Sequence, residues 1–147
     1  MNRLILLSFI AVLCACASHM VNPFINMTPS IQPLYGYAPE YPIRIGYSKD
    51  IQKNIKFCYD YMAGLRTSDH RPLKILGRES MKDPKNEPKN QGFLGLPQRW
   101  GMALGGILDK YSLIAEGGTD TLFIYFDIYH KESLSIPLGL NFVMPGP

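Results

Sequence analysis

Asp127, Tyr129, His130 and Glu132 form the densest polar set near the end of an apolar run. A carboxylate beside an imidazole can orient one ring nitrogen and leave the other to exchange a proton near neutral pH. If the segment is a strand, Asp127 and Tyr129 share a face, and a carboxylate lining a cleft there has its pKa raised by lost hydration. The blander alternative, which is favoured, is a strand leaving the core with Asp127 bonded to a tyrosine or to backbone, since structural networks hold such groups too. His70, beside Asp69, offers a second imidazole, but it sits in a turn, where a solvated histidine is commoner. The enzymatic alternative is therefore a small hydrolase or lyase using Asp127 with His130 or His70. Other chemistry finds no support. There is no Gly-x-Ser-x-Gly pattern, and the glycine-rich stretch 92–106 carries no phosphate-binding fingerprint. His19, His70 and His130 fit no metal-ligand spacing. No cofactor or metal is expected.

A binding surface is the other use of these residues. Tyrosine and tryptophan favour contact faces because each ring is apolar with a polar tip. The nine tyrosines and Trp100 therefore suggest a face of Trp100, Tyr125, Asp127, Tyr129 and His130 that meets a protein or a glycan. The alternative is that these rings close a small core.

Several elements must position these groups. Thr121 to Tyr129 alternates as the clearest strand, with Leu122, Ile124, Phe126 and Ile128 on one face and Phe123, Tyr125, Asp127 and Tyr129 on the other. Glu116-Gly117-Gly118-Thr119 joins it to a strand over 107–115 as a hairpin. Ile43, Ile45 and Tyr47 alternate within a strand over 41–47, Leu73 and Ile75 within one over 73–79, and Leu134 to Leu140 within a proline-marked edge segment. Ser48 is placed to cap a helix with Asp50 in its first turn. Ile51, Ile55, Cys58, Tyr59 and Met62 give that helix an apolar face, and Gly64 ends it. Residues 80–92 read as an exposed loop, and 93–106 as irregular backbone. The sum is an α+β domain over 41–142: an antiparallel sheet of four to five strands with one packed helix, then a frayed end at 143–147.

The N-terminus carries the most specific signal. Arg3 gives a basic start, and Leu4 to Leu13 is an apolar run broken only by Ser8. It is too short to span a bilayer, which takes about 20 residues, but long enough for a signal-peptide core. Leu13-Cys14-Ala15-Cys16 follows. This tetrapeptide resembles the lipobox of bacterial lipoproteins: branched aliphatic at −3, small at −1, cysteine at +1. Cys14 is a less usual occupant of a permissive place. The resemblance implies a diacylglyceryl thioether on Cys16, cleavage between Ala15 and Cys16, and stable anchoring in a bilayer. Ala17 departs from the aspartate that retains many such proteins at the inner membrane, so the outer membrane is favoured. The alternative is an ordinary secretory signal cut after Ala15 or Ala17.

Removing residues 1–15 leaves 132 residues with net charge +2, from 14 basic and 12 acidic side chains. Nucleic acid is not suggested by so mild a balance. Cys58 alone would remain as a free thiol, and its neighbours Phe57 and Tyr59 suit a small buried residue. Residues 16–40, interrupted by Pro23, Pro29, Pro33 and Pro39, read as a lipid-anchored tether. The alternative for Leu34-Tyr35-Gly36-Tyr37 is docking on the domain.

The order of strand, helix and strand, then 106–111, 121–129 and Ile136-Pro137-Leu138-Gly139-Leu140, is similar to a group of small bacterial lipoproteins. It covers about residues 35–142, and no catalytic residue comes with it. Some of that group carry the name 2-dehydro-3-deoxyphosphooctonate aldolase. A literal aldolase of that kind is a (β/α)₈ barrel of about 250 residues, which 132 residues cannot build. The expected function is a lipid-anchored envelope protein with a non-catalytic binding or structural domain. A secreted antagonist or toxin-immunity lipoprotein has the same sequence features.

Overall fold

Helix α1 (Ile51–Gly64) starts where Asp50 takes extended backbone and its carboxylate accepts from Gln52 N at 3.0 Å. The cap is thus Asp50; Ser48, expected there, supports it by accepting from Asp50 N through Oγ at 3.1 Å. Gly64 is the last helical residue, and Leu65 leaves in extended conformation. The buried face is Asn54, Cys58, Tyr61 and Met62, so the helix is rotated from the expected setting and Ile51 and Tyr59 are exposed. Asn54 fixes that rotation. Its Oδ1 accepts from Ser48 N at 2.8 Å, and its Nδ2 donates to Ser48 O at 2.8 Å and Ile128 O at 2.9 Å.

The computed structural model describes residues 22–85 and 106–146. The remaining elements are β1 (Ile43–Arg44), β2 (Leu65–Thr67), β3 (Leu73–Lys82), β4 (Ile107–Ala115), β5 (Thr121–Asp127) and β6 (Leu140–Phe142). Four strands make a sheet in the order β1-β5-β4-β3, and β2 pairs with β6 in a second, two-stranded sheet. The larger sheet is mixed rather than antiparallel, because β1 lies parallel to β5, Ile43 opposite Phe126 and Arg44 opposite Asp127. The result is an α+β fold with one helix packed on sheet, and β3, β4 and β5 stand close to where the alternation put them. The expected strand at 41–47 shrinks to β1 plus a bridge from Ile45 to Lys131. The last segment contributes a bridge at Ile136 and then β6, not a strand along 134–140. No helix among the described residues is long and apolar enough to cross a membrane.

A bulge in β3 has a chemical consequence. Ile75 faces Leu113, but the next register pair is Gly77 with Ser112, so Leu76 is extra and exposed. One inserted residue switches which side chains point inward. Leu73 and Ile75 face the core before it, whereas Arg78 and Ser80 line up with Tyr111 and Asp109 after it. The polar end of β3 is thereby aimed at a buried carboxylate.

The core collects Ile43, Ile45, Cys58, Tyr61, Met62, Leu65, Tyr111, Leu113, Ile124, Phe126 and Ile128. Phe24 and Tyr35 belong to it as well. The Phe24 ring lies 6.2 Å from Phe57 and 5.8 Å from Phe142, and the Tyr35 hydroxyl accepts from Ser135 N at 3.2 Å. Burying such a ring stabilises a domain by about 1.5–3 kcal/mol. The stretch expected as a tether over 16–40 is therefore part of the domain from residue 22 onward, and its first residues lie outside the described ones.

Candidate functional site

Asp127 ends β5, and its carboxylate is almost wholly removed from solvent at 1% exposure. Oδ1 accepts from Tyr129 N at 2.9 Å and His130 N at 3.1 Å. Oδ2 lies 2.8 Å from His130 Nδ1 and 3.7 Å from Arg44 Nε. Parallel pairing of β1 with β5 puts Arg44 opposite Asp127 and so on the same face. Arg44 then reaches Glu132 at 3.1 Å, and Glu132 N donates to Arg44 O at 3.2 Å. Tyr47 closes the ring of contacts by donating its hydroxyl hydrogen to Glu132 O. The charge on a buried carboxylate is thus held by two backbone amides, an imidazole and a guanidinium, the arrangement a buried ion requires.

Both oxygens of Asp127 are engaged by this network, which suits orientation better than proton transfer by the carboxylate itself. The His130 side chain is 47% exposed. With Nδ1 committed to Asp127, Nε2 is the nitrogen left for exchange with solvent or a ligand.

The other predicted residues scatter. Tyr125 is half-buried on the sheet face away from α1, opposite Lys110. Tyr129 follows the end of β5 and packs against the core cluster, so the strand alternation that put it beside Tyr125 does not extend that far. Trp100 lies outside the described residues. His70 is in the turn before β3, with φ of 65°. That turn is held by Asp69 accepting from Arg71 Nε at 2.7 Å and by Thr67, with Asp69 paired to Arg71 instead of His70. The turn adjoins Ala115 and Thr121, at the far end of β5 from Asp127, about 20 Å away at roughly 3.3 Å per residue. His70 and Asp127 cannot share a reaction centre. A shallow concavity of about 430 Å³ also lies at that far end, bordered by Pro72, Lys74, Ile114 and Glu116.

A second buried carboxylate, Asp109, has no counterpart in the sequence reading. It accepts from Arg78 Nη2 at 2.8 Å and from Ser80 Oγ at 3.0 Å. Its signal was an acid in register with the inward positions Tyr111 and Leu113; only the β3 bulge supplies its partners. Nearby, burial pushes the Cys58 thiol and the Tyr111 hydroxyl upward in pKa, and the negative charge of Asp109 adds to both. Tyr111 Oη is buried without a hydrogen-bond partner among the described residues, and its ring meets Tyr59 edge-on at 5.8 Å. Among the described residues no group of three or more His, Cys, Asp or Glu is placed to hold a metal.

No protein-family model, curated protein or solved structure matches the chain.

Proposed function

We propose that this chain is a lipid-anchored envelope lipoprotein whose domain binds or braces another envelope component without catalysis. The observation that carries the proposal is Leu13-Cys14-Ala15-Cys16 behind a basic start and a short apolar run. Outer-membrane residence, from Ala17, is part of it. The geometry at Asp127 supports the non-catalytic half, since its carboxylate is spent on local backbone, His130 and Arg44. Partners are the bilayer and an envelope protein or glycan. Radiolabelled palmitate should enter the native protein and not the Cys16→Ser form, which should also leave the membrane fraction. Incorporation that survives the substitution, or none in the native protein, removes the proposal.

A second reading rests on one specific observation, the Asp127–His130 contact at 2.8 Å beneath a half-exposed ring. It is a small hydrolase or lyase with His130 as the acid–base group. Turnover of an ester, amide or glycoside that disappears in His130→Ala, while the fold is retained, would support it over the binding reading.

A further inference from the structure

The described chain begins at Asn22 beside its own far end: Asn22 Nδ2 lies 3.7 Å from Met144 Sδ. The 22–25 turn, closed by Ile25 N on Asn22 O, packs Phe24 inward against Phe142 and leaves Ile25 outside. Val143 N is tied to Gly64 O, and Val143 and Met144 also stay outside. Ile25, Val143 and Met144 are 56%, 50% and 46% exposed. Ile31, Leu34 and Leu138 are exposed as well, so among the described residues half of the twelve exposed large apolar side chains come from 22–38 and 138–144. Scattered exposed apolar residues are ordinary, but a concentration in two adjoining segments marks a contact surface.

The connection to Cys16 decides what that surface meets. Six Cα steps separate Cys16 from Asn22, a reach of about 20 Å when fully extended. A domain of this size is roughly 35 Å across, and the headgroup layer takes up about 5–8 Å of the reach. A thioether-anchored chain therefore keeps the Asn22 corner within about 12–15 Å of the headgroup surface, less than half the width of the domain. We infer that the Ile25/Val143/Met144 edge rests in the lipid headgroup layer, fixing the domain's orientation with the opposite face of the sheet turned outward. This rests on the lipoprotein reading above; the occupant is the bilayer that holds the anchor.

The test uses the mature acylated protein, which begins at Cys16, in phospholipid vesicles, with single cysteines carrying an environment-sensitive fluorophore. Cys58 is fully buried and Cys16 is blocked by lipid, so labelling is confined to Ile25→Cys, Met144→Cys or Glu79→Cys. Glu79 pairs with Lys110 on the sheet face away from the helix and serves as the distant control. Side chains seated about 5–10 Å into the interface should lose at least about half their emission to a lipid-borne quencher at 25 and 144, and almost none at 79. Equal quenching at all three sites, or protection at 25 and 144 from aqueous quencher without access for the lipid quencher, overturns the inference. The second pattern would show a protein seated there. Palmitate incorporation measured on the same samples separates the two levels: if it is present, failed quenching rejects only the seating, and if it is absent, the lipoprotein reading fails and the seating with it.

Discussion

Replacing Asp127 by alanine and by asparagine separates a structural carboxylate from a free one. Alanine removes the acceptor for Tyr129 N and His130 N and the contact with His130 Nδ1. Two amides that lose a partner in a partly buried turn cost about 1–1.5 kcal/mol each, and the hydrogen bond to the imidazole adds about 1. The expected total is about 3 kcal/mol, a loss of roughly 10 °C or more in Tm for a domain of this size. Asparagine keeps an oxygen where Oδ1 sits, so both amides stay bonded, and its amide can donate to His130 Nδ1 in the other tautomer. Its cost should be about 1 kcal/mol. Urea unfolding followed by far-ultraviolet circular dichroism, at unchanged m, measures both. The reasoning fails if the alanine form stays within about 1 kcal/mol of native, or if asparagine costs as much as alanine.

Gly46→Ala should destabilise by about 2–3 kcal/mol, because a Cβ there would sit 2.6 Å from the Tyr129 carbonyl carbon and 2.8 Å from His130 N, backbone that cannot swing aside. Gly77→Ala, with nothing within 4 Å, should change stability by less than about 0.5 kcal/mol, and urea midpoints compare the two. Burial pushes the Tyr37 hydroxyl up to about 12 and raises Tyr35, Tyr61 and Tyr111 as well. Folded-state values above the unfolded value of about 10 mean that their contribution is intact below pH 10 and is lost as pH climbs toward the folded values. Stability should therefore be level from pH 8 to 9 and fall above pH 10, as urea midpoints across that range would read, with a shallower fall in Tyr37→Phe. The Cys58 thiol, fully buried and with its pKa raised by that burial and by Asp109, should ignore an aromatic disulfide reagent in the native protein and react on unfolding. Rapid native labelling of Cys58 would contradict the packing beneath α1.

What the sequence disclosed was local. Thr121 to Phe126 alternates over enough residues to declare its faces, and Gly117, with φ of 70°, supplies the turn the Gly-Gly pair promised. The helix was legible from its spacing, but its rotation was not: Asn54 reads as a polar residue until the carbonyl of Ile128 arrives to receive its amide. β1 is two residues long, and its parallel partner is most of a chain away, so periodicity had nothing to detect. Phe24 and Tyr35 sit among prolines with no repeating pattern, each filling the core as a single anchor, which is why that stretch passed for a spacer. At the site, Asp127 with His130 was visible as neighbours in sequence. Arg44 was not, because only strand pairing brings it there. The Asp109 cluster depends on the bulge at Leu76, a one-residue insertion that no alternation rule announces.

The parallel seam between β1 and β5 also sets the order in which the molecule can be completed. Arg44 meets Glu132 across 88 residues, and Asn22 meets Met144 across 122. A chain emerging from its N-terminus, whether from a ribosome or through a translocation pore, presents Phe24, Tyr35 and Ile43 long before Phe126, Ile136 and Phe142 exist to cover them. Closure of loops that long slows collapse. The early apolar residues must wait in water or in the grip of a chaperone, and the final quarter of the polypeptide acts as the keystone on which the rest settles.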